Sequence, residues 1–342
     1  MSSLNKTIAI IGAGSWGTAL AQHLGEKGIT VHLWVFEPEL LAILQKTREN
    51  KVFLPKIKLS RRINFVGDIA AAVREQTVVM MATPSHVFRT VAAQLAPHLD
   101  SGAIIVSATK GIENETLLTM EGVAREVFGP QTAYATLSGP SFAREVAQSQ
   151  PTVVTVASRQ RPVATRIQKL FSDPTFRVYT SYDVIGVELG GALKNVMAVA
   201  AGIIEGLGLG DNPRAALITR GLAEISRLGA RLGANPMTLS GLAGLGDLVL
   251  TCTSRQSRNY QVGRQLGTGC KLADILSSMQ MVAEGVKTTH ASLHLAQKLG
   301  LEMPIVEQVH RILYEDYSPR DAVKMLMTRE LKDEIDAMSA TW

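Results

Sequence analysis

Cysteine is scarce in this chain: the 342 residues include only Cys252 and Cys270. The two lie 18 positions apart and form neither a CxxC pair nor the spacing of a metal site. The cysteines therefore give no sign of a disulfide framework, and we expect no bound metal. Few, unpatterned cysteines are typical of a reducing compartment, so the sequence predicts a cytoplasmic location.

Long apolar runs are also missing. Hydrophobic residues make up 46% of the chain and charged residues 19%, but no uninterrupted apolar run reaches the roughly 18 to 20 residues that span a bilayer. The first residues, MSSLNKTIAIIGAGS, carry one lysine, and their apolar run leads directly into a glycine turn. We therefore expect a soluble globular protein without a signal peptide or an integral membrane segment.

Aromatic residues are few, at 5%, which limits how the formal net charge of +5 can be interpreted. The dense basic cluster consists of Lys56, Lys58, Arg61 and Arg62, and no aromatic side chain is interleaved with it. Strands of nucleic acid are commonly held by cations together with aromatic stacking. We interpret the cluster as a solvated loop and expect no nucleic-acid partner. A small anionic substrate needs only a few cations in a cleft.

The most informative stretch is residues 7–24, TIAIIGAGSWGTALAQHL, where an apolar run ends at glycine and a helical pattern begins. Gly12, Gly14 and Gly17 fit the dinucleotide fingerprint: the first turns the chain, the second lets backbone approach a pyrophosphate, and the third lets helix pack on strand. The helix N-terminus then presents N–H groups to the phosphates. A tight turn without a ligand is the alternative, but it leaves three glycines, each costly in conformational entropy, unexplained.

Strand and helix patterns alternate through the first half of the chain, and the length suggests two domains. Further buried strands are predicted at residues 29–35, 63–65, 77–82, 103–107, 134–137, 152–157 and 176–179. Beyond them the pattern is helical only. The predicted fold class is α/β: a Rossmann-type doubly wound parallel sheet with helices on both faces in domain 1–182, followed by an all-helical C-terminal domain, 183–342.

Two predicted turns follow buried strands at the edge where such sheets bind ligands, outside the carboxyl ends of the strands. Their sequences are TPSH, at residues 83–86, and ATKG, which contains Lys110. The strand-end position makes Lys110 a candidate site residue, and a solvated loop lysine is the alternative. A third turn, SGPS at residues 138–141, starts another helix, and its hydroxyl and N–H groups either meet a ligand or cap that helix.

The second half opens with residues 184–204, which are apolar on nearly every side and must form a buried helix. Lys194 and Asn195 lie in its middle. Lysine is almost never fully buried without a partner or a function, and burial lowers its pKa from ~10.4, which brings proton donation near neutral pH within reach. Gly190 and Gly191, one turn earlier, predict room for a ligand beside the ammonium.

A carboxylate and a group of hydrogen-bond donors follow in residues 239–259. Asp247 is the one acid in SGLAGLGDLVLTCTS. It orients the Lys194 ammonium for chemistry, or it forms a purely structural ion pair, for which Glu188 is another candidate. The donors are Arg255, Ser257, Arg258 and Asn259. Guanidinium and amide groups are suited to a phosphate, and an exposed surface position is the alternative for Arg258.

Six motifs, GAGSWG, ATKG, SGPSFA, GGALKN, LITRGL and GLAGLGDLVLTCTSRQSRN, together closely resemble those of the bacterial biosynthetic glycerol-3-phosphate dehydrogenases, which use NAD or NADP. The resemblance runs from about residue 6 to residue 330. Its last two motifs are specific, whereas unrelated enzymes share the glycine fingerprint. It implies an oxidoreductase acting on CH–OH, which reversibly reduces dihydroxyacetone phosphate to sn-glycerol 3-phosphate for glycerophospholipid synthesis, and it suggests a homodimer.

The resemblance also implies a role for each matching residue. Lys194 would be the proton donor or acceptor, and Lys110 and Asp247 would complete the catalytic group. Substrate contacts would come from Lys110, Gly139, Ser141, Lys194, Asn195, Asp247, Ser257, Arg258 and Asn259. Cofactor contacts would come from Gly12, Gly14, Ser15, Trp16, Gly17, Phe36, Glu37, Lys110, Ala143, Arg258, Val282 and Glu284.

The end of the second predicted strand bears on the choice of dinucleotide. Glu37 is an acid at the position that accepts the ribose 2'-OH of NAD, and Phe36 stands where the family commonly has arginine or histidine. A carboxylate repels the 2'-phosphate of NADP, so we expect NAD to be weakly preferred. The alternatives are that Glu37 only favours the next helix N-terminus, or that distant basic residues cover the phosphate. Those residues are Lys46, Arg61 and Arg62.

Two rival functions share parts of this pattern. A 3-hydroxyacid dehydrogenase of similar two-domain plan would also place a lysine and an asparagine on a helix, but it would bind a carboxylate instead of a phosphate. A non-enzymatic nucleotide-sensing protein would keep the glycine loop but would not need Lys194, Asp247 and Arg258 together.

Hydride delivery to a ketone creates an alkoxide that must be protonated or held by charge, and Lys194 and Lys110 are the candidate cations.

Overall fold

The first part of the chain builds one eight-stranded sheet. The computed structural model describes residues 7–279, 282–331 and 333–334. The strands are β1 (Thr7–Ile11), β2 (Thr30–Trp34), β3 (Ile63–Val66), β4 (Val78–Met81), β5 (Ile104–Ser107), β6 (Tyr134–Ser138), β7 (Thr152–Ala157) and β8 (Phe176–Ser181). They are ordered β3-β2-β1-β4-β5-β6-β7-β8. The order reverses between β1 and β4, so the loops after these two strands flank the crevice where such sheets bind ligands.

Helices cover both faces of this sheet. They are α1 (Ser15–Glu26), α2 (Pro38–Thr47), α3 (Ile69–Val73), α4 (Phe88–Leu95), α5 (Met120–Phe128), α6 (Ala143–Ala147) and α7 (Arg161–Phe171). Successive side chains of β1 point to opposite faces: Ile8 and Ile10 pack in one hydrophobic cluster, and Ala9 and Ile11 pack in another with Phe88. Burial on both faces explains why the central strands are continuous apolar runs.

The strands are parallel with one exception, the antiparallel pair of β6 and β7. The prediction of a parallel sheet is therefore wrong for its last two strands, which run opposite to the other six. Between β6 and β7 the chain forms only the five-residue helix α6, which at roughly 1.5 Å per residue is too short to run back along a strand, as the helix of a parallel crossover must. The longer helix α7 then makes the crossover that returns β8 parallel to β7.

The C-terminal domain is helical, so the predicted α/β fold class with a helical second part is confirmed. Its helices are α8 (Val184–Gly206), α9 (Asp211–Arg231), α10 (Pro236–Leu239), α11 (Asp247–Thr253), α12 (Arg258–Gly267), α13 (Leu272–Ser278), α14 (Glu284–Lys298), α15 (Pro304–Tyr314) and α16 (Pro319–Met327). A π-helical turn, Leu242–Gly246, leads into α11.

Helix α8 is the centre of this domain. Within the described residues it is the one helix long and apolar enough to cross a membrane, but its 18-residue apolar window is 100% buried inside the protein. Helix α12 packs on it backbone to backbone: a Cβ at Gly202 would collide with the carbonyl oxygen of Tyr260, and a Cβ at Gly263 with that of Val199. This contact fixes α12, which begins at Arg258, against the helix that carries the candidate lysine.

Candidate active site

The three glycines of the loop after β1 occupy their positions for different structural reasons. Gly12 has φ +114°, and a Cβ there would lie 2.9 Å from the carbonyl oxygen of Ala82. A Cβ at Gly17 would collide with the carbonyl oxygen of Gly12, whereas a Cβ at Gly14 would meet no atom of the described residues within 4 Å. Packing therefore explains Gly12 and Gly17, but only open space lies beside Gly14.

Helix α1 presents its N-terminus to that open space. Gly14 is its N-cap residue, and no side chain caps the helix. Two buried polar atoms nearby, Trp16 Nε1 and Thr83 Oγ1, have no hydrogen-bond partner among the described residues. The Ser15 hydroxyl donates to the Phe53 carbonyl oxygen at 2.7 Å. A bare helix N-terminus, an open approach to the backbone and unused donors fit a dinucleotide pyrophosphate.

The residues expected to select the dinucleotide lie on the surface beyond β2. Phe36 is 73% exposed, and its ring lies 5.8 Å from that of Trp34. Glu37 is the N-cap residue of α2, yet its side chain makes no capping hydrogen bond. Its carboxylate is therefore not used by the helix as a cap, although its charge still favours the helix N-terminus.

Two lysines share one carboxylate at the junction of the sheet and α8. Lys194 Nζ donates to Asp247 Oδ1 and, at 2.9 Å, to Thr251 Oγ1. Lys110 Nζ donates to Asp247 Oδ2 at 2.7 Å and to the Gly139 carbonyl oxygen at 3.4 Å. Asp247 is fully buried and Lys194 is 7% exposed. Three segments far apart in the sequence thus meet at one buried carboxylate: the ATKG turn, α8 and α11.

Burial changes the acidity of Lys194. Loss of water lowers the pKa of Lys194, Asp247 raises it, and the Lys110 ammonium lowers it; the net pKa is about 8. An ammonium with a pKa near 8 holds its proton at neutral pH but releases it far more readily than an ordinary lysine. The group is therefore able to donate and to take back a proton near physiological pH.

Thr251 is a site residue that the sequence analysis missed. Its hydroxyl donates to the Asp247 carbonyl oxygen at 2.6 Å and accepts from Lys194. The available signal was helical spacing, because residues four apart in one helix lie on the same face.

The structure corrects two expectations about the surroundings of Lys194. A Cβ at Gly190 would lie 2.5 Å from the Ala243 carbonyl oxygen, and one at Gly191 would lie 2.6 Å from Ser138 Oγ. Protein atoms occupy the space beside both glycines, so the predicted room for a ligand at that point is wrong. The glycines instead let α8 pack closely on its neighbours.

Glu188, the other candidate partner of the lysine, has different contacts. Its carboxylate accepts from the Tyr134 hydroxyl at 2.5 Å and from the Glu121 N–H at 3.1 Å. Burial raises the pKa of Glu188 to about 7. Lys194 forms its ion pair with Asp247, so the alternative prediction of an ion pair with Glu188 is wrong.

The SGPS turn faces the lysines. Gly139 has φ +146°, and its carbonyl oxygen accepts from the Ser141 hydroxyl at 2.8 Å. Ala143 is the first residue of α6, whose N-cap Phe142 provides no side-chain cap. The serine of this turn therefore does not cap the helix, which was one of its two predicted uses. The Ser138 hydroxyl is buried without a hydrogen-bond partner among the described residues.

The predicted donors after Asp247 separate into two groups. Arg258 Nη1 donates to the Val282 carbonyl oxygen at 2.9 Å, and the Ser257 hydroxyl caps α12 by accepting from the Tyr260 N–H at 3.3 Å. Arg255 instead forms an ion pair with Glu205 at 2.7 Å.

An amide chain links Asn195 to the start of α14. Asn259 Nδ2 donates to Asn195 Oδ1 at 2.9 Å, and Asn259 Oδ1 accepts from the Gly285 N–H at 2.8 Å. Glu284, the first residue of α14, accepts from both the N–H and the hydroxyl of Ser85. The neighbour of the candidate catalytic lysine is thus connected to the segment that contains Val282 and Glu284.

This geometry defines a class of protein. A dinucleotide-type crevice at the sheet switch point and a buried lysine–aspartate site at the adjoining helical domain are the parts of a nucleotide-dependent dehydrogenase.

Comparison with known proteins gives the family. The family model described as NAD-dependent glycerol-3-phosphate dehydrogenase N-terminus matches residues 7–164, and the corresponding C-terminus model matches residues 183–324. Glycerol-3-phosphate dehydrogenase (NAD(P)+) of Syntrophobacter fumaroxidans is 54% identical over 331 residues, which cover 96% of this chain and 97% of that protein. The Geobacter sulfurreducens protein of the same name is 54% identical over 333 residues, with 97% and 99% covered.

A solved structure agrees with the sequence relatives. The crystal structure of glycerol-3-phosphate dehydrogenase from Coxiella burnetii has a TM-score of 0.92 and 42% identity, and the match covers 94% of this chain and 99% of that one. The chain belongs to the NAD-dependent glycerol-3-phosphate dehydrogenase family. It is an oxidoreductase that uses NAD or NADP. The predicted family, enzyme class and cofactor type are confirmed, and the two rival functions are set aside.

Proposed function

We propose that this enzyme reversibly reduces dihydroxyacetone phosphate to sn-glycerol 3-phosphate, with Lys194 as the proton donor. The observation that carries the proposal is the buried Lys194 ammonium, held by Asp247 next to the second ammonium of Lys110. The names of the relatives in Syntrophobacter and Geobacter support the substrate. A ketone whose oxygen gains negative charge needs such a pair of cations.

The protein supplies charge and a proton to this reaction. NAD(P)H, when bound, supplies the hydride. Lys194 Nζ donates its proton to the former carbonyl oxygen of the substrate and takes it back in the oxidation direction. Asp247 and Thr251 orient the ammonium through their hydrogen bonds. Lys110 provides the second positive charge, and its bond to the Gly139 carbonyl oxygen places it beside the SGPS turn.

Arg258 is proposed to hold the substrate phosphate. Its guanidinium lies at the N-terminus of α12 and is exposed to solvent. One of its five N–H donors bonds the Val282 carbonyl oxygen. The planar group has further donors for two phosphate oxygens, and the N-terminus of α12 adds backbone donors. The remaining predicted contacts, from Ser141, Asn195, Ser257 and Asn259, belong to the same proposal.

The cofactor contacts are proposed as predicted. Gly12, Gly14 and Gly17 with Ser15 and Trp16 would hold the pyrophosphate end, and Phe36 and Glu37 would adjoin the adenine ribose. Ala143, Val282 and Glu284 would lie along the rest of the dinucleotide, together with Lys110 and Arg258. With no arginine at position 36 and a carboxylate at 37, NAD(H) is proposed as the preferred form.

Several properties of the whole protein belong to the same proposal. The chain divides into domains 1–182 and 183–342, because β8 ends at Ser181 and α8 begins at Val184. The enzyme is a homodimer in the cytoplasm, and its product supplies glycerophospholipid synthesis.

The test follows NADH absorbance with the purified protein. Wild-type enzyme should oxidise NADH with dihydroxyacetone phosphate and react far less with unphosphorylated dihydroxyacetone. Arg258→Ala should lose this preference by about 10²-fold to 10⁴-fold, the loss expected for two charge-assisted hydrogen bonds. Arg258→Lys should rescue it only in part, because lysine lacks the planar pair of donors.

Arg255→Ala is the matched control, since Arg255 is engaged with Glu205, and it should keep the preference. Absence of NADH oxidation by the wild type would refute the proposed reaction. Unchanged discrimination in Arg258→Ala would refute only the phosphate site and move it to other cations.

A further inference from the structure

The TPSH turn, which the proposed reaction does not use, is joined to the helical domain. Ser85 begins the short 3-10 turn after β4 and is 3% exposed. Its hydroxyl donates to Glu284 Oε2 at 2.6 Å, and its N–H donates to Glu284 Oε1 at 3.1 Å. One serine therefore engages both oxygens of a carboxylate that lies 199 positions away in the sequence.

The ATKG turn closes over the same contact. A Cβ at Gly111 would lie 2.5 Å from Ser85 Oγ and 3.5 Å from Glu284 Oε2. Only a residue without a side chain permits this approach, so the two turns after β4 and β5 meet at the Glu284 carboxylate. The contact is thus built from three separate segments.

The segment before α14 is also held by the candidate phosphate-binding residues. Arg258 Nη1 donates to the Val282 carbonyl oxygen, and Asn259 Oδ1 accepts from the Gly285 N–H. Glu284 lies between these two attachments. The carboxylate of Glu284 is close enough to the guanidinium of Arg258 for each to shift the pKa of the other. Glu284 therefore has two possible partners, the Ser85 donors and the Arg258 guanidinium.

We propose that Ser85 is a positioning residue that binds the Glu284 carboxylate at the end of β4 and so keeps it from forming an ion pair with Arg258. This inference rests on the proposed function, in which Arg258 binds the substrate phosphate. A carboxylate and a guanidinium form a strong bidentate pair when they are free to meet. With Ser85 in place, the carboxylate is satisfied elsewhere and the arginine donors remain for phosphate.

The test compares four variants: Ser85→Ala, Ser85→Thr, Glu284→Gln and the double variant Ser85→Ala with Glu284→Gln. Two quantities are measured, the KM and kcat for dihydroxyacetone phosphate, and the Kd of sn-glycerol 3-phosphate for protein saturated with NADH. This pair of ligands cannot react, so titration calorimetry reports binding alone. Melting temperatures establish that each variant is folded.

Ser85→Ala should raise KM and Kd about tenfold, while kcat stays within twofold, because it removes the charge-assisted hydrogen bond of the hydroxyl and leaves only the backbone N–H to hold the carboxylate. Ser85→Thr should restore both values, because it keeps the hydroxyl. The double variant should bind no worse than Glu284→Gln alone, because the amide no longer competes for Arg258 as a charge.

The matched control is Ser292→Ala, which removes another buried hydroxyl from α14, one that donates to the Thr288 carbonyl oxygen at 2.6 Å. It should leave KM and Kd unchanged. If Ser85→Ala does not fold, Glu284→Asp replaces it. The shorter aspartate side chain no longer reaches Ser85 but keeps its negative charge. The same rise in KM and Kd is expected.

Unchanged KM and Kd in Ser85→Ala, or in Glu284→Asp, would overturn the inference. The inference would also be overturned if the double variant bound sn-glycerol 3-phosphate more weakly than both single variants. Removal of the carboxylate charge would then not relieve the binding defect of Ser85→Ala. If the wild-type enzyme fails to reduce dihydroxyacetone phosphate, the proposed function itself is refuted. The variants test only the role of Ser85, so the two failures are distinguishable.

Discussion

The glycine loop after β1 and the two-lysine site are built in opposite ways. The loop is a continuous stretch, residues 12–17, in which Gly17 lies against the backbone of Gly12, while Gly12 lies against that of Ala82 just after β4. The lysine site joins Lys110 and Lys194 to Asp247, which is 137 and 53 positions away from them. The glycine motif therefore constrains backbone shape, whereas the charged site depends on how three segments pack together.

The two regions should therefore fail in different ways. A substitution in the loop acts through steric contact and cofactor binding, because the loop provides backbone groups and space. A substitution among the lysines acts through charge on the reacting oxygen, because Lys194 is buried, the Lys110 side chain is 18% exposed, and both ammonium groups bond the same carboxylate.

Lys194→Ala is expected to have the largest effect on rate. Loss of a general acid typically costs 10²-fold to 10⁴-fold, so ketone reduction should fall by that amount while NADH affinity stays within about threefold, because the lysine is proposed to act on the substrate oxygen. Stopped-flow measurements of NADH oxidation and NADH fluorescence titrations give the two quantities. A folded variant with a rate within about tenfold of wild type would show that another group is the acid.

The control for this experiment is another partly buried lysine. Lys27 Nζ donates to the carbonyl oxygens of Lys169, Leu170 and Ser172, at 2.9, 2.8 and 2.5 Å, and so caps the end of α7. Lys27→Ala should lower the melting temperature without the loss of rate. Equal rate losses in the two variants would mean that removal of an ammonium acts through stability alone.

Gly17→Ala and Gly14→Ala should separate packing from cofactor binding. A Cβ at position 17 collides with the Gly12 carbonyl oxygen, so this variant should lose about 1 to 3 kcal/mol of stability through overpacking. At position 14 the Cβ meets no protein atom within 4 Å and φ is −67°, so stability should be kept. Gly14→Ala should still weaken NADH binding at least about tenfold, since close backbone approach is what that glycine provides.

Thermal unfolding and NADH titration measure the two effects. If Gly14→Ala binds NADH as the wild type does, the open space beside position 14 is not the pyrophosphate site. If Gly17→Ala is as stable as the wild type, the backbone of the loop shifts without loss of stability. Packing would then not explain why position 17 is glycine.

The pH dependence should report Lys194 directly. Burial lowers the pKa of Lys194 to about 8, so the proton donor is lost above that pH. Reduction of dihydroxyacetone phosphate should fall about tenfold per pH unit above 8, while oxidation, which needs the neutral amine, should rise through the same range. Initial rates from pH 6 to 10 at saturating substrates test this. A reduction rate that stays flat up to pH 10 would contradict the assignment.

Phe36→Arg should have the smallest effect, because it adds a contact at an exposed position. An arginine beside the adenine ribose favours the 2'-phosphate, so the ratio of kcat/KM for NADPH over NADH should rise by up to about fivefold, as for one surface ion pair of up to about 1 kcal/mol. Steady-state kinetics with both cofactors provide the measurement. A wild-type kcat/KM for NADPH equal to or above that for NADH would refute the proposed preference for NAD.

Several parts of the fold could be predicted from local sequence patterns. The buried strands, the glycine turn into α1 and the apolar helix α8 all follow from hydrophobic spacing and glycine geometry, because each of them constrains neighbouring residues. The family motifs were also visible in the sequence. The spacing of residues in the sequence did not identify the ion-pair partner of Lys194, and both Asp247 and Glu188 remained candidates.

How these parts meet depends on tertiary contacts. It selected Asp247 over Glu188 as the partner of Lys194, filled the space beside Gly190 and Gly191 with protein, and reversed β7 against β6. It also brought Ser85 to Glu284. These outcomes depend on contacts between residues far apart in the chain, and their energies come from packing and burial that no local pattern of side chains records.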